Sequence, residues 1–171
     1  SQGYPHSLGL FYSAMTQRIG LVPQRDEYLV ALWGAKGNSE RFFFHLLNEL
    51  VQTTGMGSDP FIRMRENMHR GVRWWRPELS SQQDMYDIAA ATQAVFEYCL
   101  LNLAAWAKKA TNSKHLALAG GGALNKQAVD LLRNRWDTIH VPQNPGDPGS
   151  CIGAVLAKTR QRTTLEGKWH T

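Results

Sequence analysis

The chain has 171 residues, 43% hydrophobic and 19% charged, with a net charge of +5. That suits one folded domain with a real core and excludes a disordered or fibrous chain. No apolar run approaches the ~20 residues of a membrane helix, no signal-peptide pattern opens the chain, and two cysteines (Cys99 and Cys151) without metal-ligand spacing fit a reducing, cytoplasmic setting.

Taken in order, Ser7 can cap a helix in which Leu8, Phe11, Tyr12, Met15 and Ile19 share a face, and Gly20 stops it. Residues 21–37 are mixed in pattern. Asn38 or Ser39 then caps a second helix with Phe42, Phe43, Leu46, Leu47 and Leu50 as its apolar stripe. Thr53 to Pro60 reads as a loop. Phe61 to Arg65 alternates apolar and basic residues, and Val72 to Trp75 is its candidate hairpin partner. Basic charge concentrates in Arg63, Arg65, Arg70, Arg73 and Arg76, interleaved with Trp74 and Trp75. Such interleaving can hold single-stranded nucleic acid. The pattern fits no nucleic-acid module, however, so a solvated strand face or a docking surface for a partner domain is the expectation. Ser80 with Gln83 is a capping-box signature for one long helix over about 81–110. Its stripe is Met85, Ile88, Ala89, Thr92, Phe96, Cys99, Leu100, Leu103 and Trp106.

His115 to Ala119 reads as a strand buried on both faces, followed by Gly120-Gly121-Gly122 and a helix from Leu124 to Arg135. Thr138 to Val141 is a second buried strand, and a loop from Pro142 to Ser150 leads into a helix, Cys151 to Arg160. This order predicts parallel neighbours with a right-handed crossover. Two strands cannot make a stable parallel sheet, so weaker segments or further chain must complete it.

Three consecutive glycines cost conformational entropy and need a reason. One is close approach of backbone to a nucleotide, with the next helix aiming its N-terminal dipole at the ligand. The other is tight strand–helix packing, and the turn alone balances the two. The spacing matches neither a Walker loop nor Gly-x-Gly-x-x-Gly. The second loop, Asn144-Pro145-Gly146-Asp147-Pro148-Gly149, lies at the same carboxyl edge, where open α/β sheets bind ligands. Asp147 alone reads more readily as a turn aspartate than as a metal ligand. Two such loops on one edge favour a ligand site.

Gly120 to Asn125, Asn144 to Gly149 with Ile152-Gly153-Ala154, Tyr4 to Ala14, and Asp87 to Gln93 together resemble the NodU/CmcH carbamoyltransferases. The resemblance implies an α/β, actin-like and sugar-kinase-like (ASKHA) fold. Residues 1–171 would be a single domain, the C-terminal lobe, with the N-terminal lobe and a YrdC-like domain outside the chain. It implies transfer of a carbamoyl group from carbamoyl phosphate, through an ATP-derived carbamoyl-adenylate, to a hydroxyl of a small-molecule acceptor. It also implies a divalent, iron-type metal held by Asp147 and by a His-x-x-x-His motif of the other lobe. Gly120, Gly121, Gly122 and Asn125 correspond to the adenosine side. No membrane partner is expected, and a homodimer is open.

This chain has no His-x-x-x-His. In the segment Glu27 to Gly37, Leu29 stands where the family has lysine and Leu32 where it has glycine, while Glu27 keeps its place as a nucleotide-side contact. His6 precedes a helix start, where a neutral imidazole can donate to a phosphate or carbamoyl oxygen and act catalytically; a locally bonded loop histidine is the commoner case. The isolated chain is expected not to turn over. The alternative is a non-catalytic actin-like nucleotide-binding or interaction module.

Overall fold

The computed structural model describes residues 4–53, 62–160 and 167–170. The loop read over Thr53 to Pro60 lies, apart from Thr53, outside the described residues, as does Phe61. The chain forms two compact units, Ser1–Trp106 and Ala107–Thr171.

The first unit is helical around one central element. Helix α1 (Leu8–Arg18) starts as expected, with Ser7 Oγ accepting from Leu10 N–H, and ends before Gly20 at φ +86°. Helix α2 (Glu27–Gly34) was not distinguished in the mixed segment. Asn38 caps a 3-10 turn, Ser39–Arg41, and helix α3 (Phe43–Glu49) begins only after it. Of the predicted stripe, Phe42, Leu46 and Leu50 are buried. Strands β1 (Val51–Thr53) and β2 (Ile62–Met64) form an antiparallel pair that buries Val51, Ile62 and Met64 and exposes Arg63. This corrects the expected hairpin: residues 72–75 form a turn closed by Trp75 N–H to Val72 O. Val72 and Trp75 are both buried, a spacing of three that an alternating strand does not give.

Helix α4 (Gln82–Thr111) is the core of this unit. Its cap is Ser81 with Asp84, one residue beyond the predicted pair, because the Asp84 carboxylate accepts from both Ser81 N–H and Oγ. By length and composition it could cross a membrane, yet it is largely buried inside the protein. Every residue from Asp87 to Gln93 is buried, so neighbours surround the helix there. The alanines explain how. A Cβ on Gly34 would lie 3.1 Å from Ala90 Cα, and one on Gly37 would fall on the Tyr86 carbonyl, so α2 and its C-terminal turn pack backbone to backbone on α4. Burial also pushes the Cys99 thiol up to about 12, leaving it an inert core residue.

The second unit holds strands β3 (His115–Ala117), β4 (Thr138–Pro142) and β5 (Gly167–His170) in the order β3-β4-β5. β3 and β4 are parallel, as expected, and the antiparallel β5 supplies the third strand that two strands require. The predicted helix over Leu124 to Arg135 is instead a 3-10 turn (Gly121–Leu124), helix α5 (Lys126–Asp130) and a second 3-10 turn (Arg133–Arg135). Asn125 caps α5 and so sets its start. Ala128, Val129, Leu132, Trp136 and Ile139 form the core. β3 is not buried on both faces: His115 and Ala117 are exposed. Helix α6 (Asp147–Thr159) starts four residues earlier than predicted, since proline is accommodated in a first turn, and buries no residue.

Candidate functional site

The second unit brings its two predicted loops together. Leu118 N–H still pairs with His140 O, and the chain then turns at Gly120, with φ +92°. That region strains any L side chain, so glycine is required by backbone geometry. Packing does not require it, because a Cβ on Gly120 or Gly121 would meet nothing within 4 Å. The tight-packing reading of these two glycines is therefore excluded within this unit. Gly120 N–H donates to Pro145 O at 2.6 Å, and a Cβ on Gly146 would lie 3.8 Å from Gly121 Cα. The glycine turn and the second loop thus lie against each other at the carboxyl edge of β3 and β4.

The second loop is fixed from behind. Pro145 is buried, and a Cβ on Gly149 would fall on the Asn144 carbonyl oxygen. Asn144, Pro145 and Gly149 hold the loop's shape, while Asp147 and Pro148 are exposed. Gly146 is the N-cap of α6 and offers no side-chain acceptor to the first turn. Those N–H groups and the positive end of the helix dipole favour an anion. Asp147 is exposed at the first helical position, where the same dipole favours a carboxylate. Among the described residues no three His, Cys, Asp or Glu side chains gather to hold a metal. A single carboxylate does not make a metal centre, so this chain's donor set fits a metal only as one contributor. Asn125, read as adenosine-side, uses its Oδ1 to accept from Ala128 N–H. An asparagine directly before a helical segment was the available signal for that cap.

The predicted residues of the first unit hold the fold. His6 Nδ1 accepts from Met64 N–H at 3.1 Å. Met64 sits opposite Val51 in a non-hydrogen-bonded pair, so its N–H points away from β1 and the imidazole takes a third strand's place. The neutral ring then carries its proton on Nε2. Glu27 Oε1 accepts from Ser13 Oγ at 2.9 Å and from Gln24 N–H at 2.5 Å, which ties α2 to α1.

Sequence reasoning missed three polar anchors. The Asp87 carboxylate accepts from Asn38 N–H, Arg41 and Gln83. Burial opposes its ionisation, and these bonds outweigh that and hold it below the usual carboxylate range. The buried Arg18 guanidinium donates to the carbonyls of Trp75, Arg76 and Leu79. Glu49 accepts from Arg76 and from the buried Trp75 Nε1 and lies 3.0 Å from His45 Nδ1, and Arg76 above all brings it down to about 2. Nothing in the local pattern marked these long-range partners.

Residues 2–156 match the family described as carbamoyltransferase N-terminus. The chain belongs to that family. The matched region includes the glycine turn, Asp147, His6 and Glu27. Relatives of this carbamoyltransferase-family chain include the uncharacterized protein sll1178 of Synechocystis sp. It is 31% identical over 174 residues, covering 92% of this chain and 28% of the relative. The nodulation protein NolO of Bradyrhizobium diazoefficiens is 28% identical over 155 residues, covering 88% of this chain and 28% of NolO. The chain therefore spans a little over a quarter of the length of these curated relatives.

Proposed function

We propose that this chain is the C-terminal actin-like lobe of an O-carbamoyltransferase that moves a carbamoyl group from carbamoyl phosphate, through an ATP-derived carbamoyl-adenylate, to a hydroxyl of a small-molecule acceptor. One observation carries the reading: the open backbone surface of Gly120 and Gly121 lies against the uncapped start of α6. Glycine there lets a nucleotide approach the main chain, and the helix start favours its phosphate. Gly120, Gly121, Gly122 and Asn125 would border the adenosine. In the transfer step the acceptor oxygen bonds to the carbamoyl carbon. The bond from that carbon to the adenylate phosphate oxygen breaks, AMP leaves, and the hydroxyl proton is released. Asp147 would give one oxygen to a divalent, iron-type metal whose histidine ligands come from outside this chain; bound there, the metal would polarise the carbamoyl carbonyl. His6 Nε2–H and Glu27 are secondary candidates for this chemistry, since both also hold the first unit together.

Titrating the chain with ATP while following its amide chemical shifts tests the reading. The largest changes are expected at Gly120 to Asn125 and Gly146 to Gly149; changes confined to the first unit would sink it. In the whole polypeptide, Asp147→Asn is expected to lower ATP- and carbamoyl-phosphate-dependent carbamoylation about 100-fold. The competing reading, a non-catalytic nucleotide-binding module, draws support from Leu32, which is exposed on α2 in place of the family's glycine. It predicts the shift changes without any turnover in the whole protein.

A further inference from the structure

All five cationic residues between positions 62 and 76 are arginines, while the chain's lysines lie elsewhere. Arg76 is committed to Glu49. The other four, Arg63, Arg65, Arg70 and Arg73, are exposed and form no ion pair among the described residues. The expected hairpin would have spread them over a solvated strand face. The structure instead places Arg63 on β2 and Arg65 just after it, Arg70 in the 3-10 turn Met68–Arg70, and Arg73 in the turn that follows.

Flat aromatic surfaces accompany them. Trp74 is 56% exposed beside Arg73. Tyr4 is 76% exposed, its ring 5.5 Å from that of His69, and its hydroxyl accepts from Asn67. The Met64–His6 bond and the tilted Tyr4–His69 ring contact lay residues 4–6 along this arginine segment.

We propose that this surface binds single-stranded nucleic acid. Arginine presents a planar fork to phosphate oxygens, and exposed rings give bases a sequence-tolerant stacking platform. An acidic polypeptide would use the arginines but has no bases to stack on Trp74 and Tyr4, which favours nucleic acid of the two. Glu66 is the one carboxylate within the stretch, so the local charge stays strongly positive.

The test is fluorescence anisotropy of a labelled, mixed-sequence single-stranded oligonucleotide against the chain over a salt series. Binding is expected to weaken with salt. Replacing Arg63, Arg65, Arg70 and Arg73 together by alanine should cut the slope of log K against log salt by about 3. Trp74→Ala should weaken binding about tenfold with the slope unchanged. These positions are exposed, and unchanged thermal unfolding of the variants will show that the fold is intact. Salt-independent binding, or equal binding by the fourfold variant, overturns the proposal. Equal competition by polyglutamate also overturns it and assigns the surface to an acidic protein partner.

Discussion

The two units use their distinctive residues in opposite ways. In the first, almost every motif residue is spent on internal contacts. Tyr12 donates to Gln93, Asp87 receives Asn38, Gly34 and Gly37 admit α2 to α4, and His6 closes the edge of β2. In the second, Gly120, Gly121 and Asp147 face open space, while Pro145 is buried and the Asn144 carbonyl leaves no room for a side chain at Gly149. Sequence motifs of similar appearance thus mark a packed scaffold in one region and an open edge in the other. What separates them is whether a side chain would have room.

The sharpest break of this contrast is a pair of glycine variants. Gly37→Ala would push a methyl into the Tyr86 carbonyl and should cost about 3 kcal/mol in urea unfolding. Gly120→Ala meets no atom and suffers only its positive φ, so about 1 kcal/mol is expected. Equal losses would erase the distinction. Next, Arg18→Ala leaves the carbonyls of Trp75, Arg76 and Leu79 without their donor and should cost about 2–3 kcal/mol, read by thermal unfolding.

A smaller effect is linked to acid. The folded Glu49 carboxyl lies at about 2, below its ordinary value of 4.5, so its stabilisation is complete above 4.5 and is lost as pH falls toward 2. Because Glu49 is partly exposed, about 1 kcal/mol is expected after solvent screening. Glu49→Gln should flatten that part of the stability–pH curve. The smallest effect belongs to the second unit: Asp147→Asn should change stability by less than about 0.5 kcal/mol. A large loss there would make Asp147 a structural residue.

Much of this was legible because it is local. Ser7 caps α1 where expected, Asn38 caps a 3-10 turn instead of the expected helix, Gly20 ends α1, and the alternation of β3, turn and β4 yielded a parallel pair. Ser81 in place of Ser80, and a final helix beginning at Asp147, are boundary shifts decided by the Ser81–Asp84 hydrogen bonds and by proline's tolerance in a first turn. The strand partner of Ile62 to Met64 was illegible for a different reason. Val51 to Thr53 directly follows a helical stripe, and register depends on tertiary burial. The openness of Gly120 and Gly121 was equally hidden, since Gly-Gly-Gly reads alike whether it lies under a helix or faces solvent.

The histidine at the edge of β2 has one more consequence. A two-stranded ribbon with a bare edge is a template on which another chain can add a strand. In this protein the outward N–H of Met64 is already taken by His6, so an imidazole occupies a donor that an added strand would need. Removing that imidazole would leave the Met64 N–H without this acceptor, and the ribbon edge would then offer a donor to a strand from another chain.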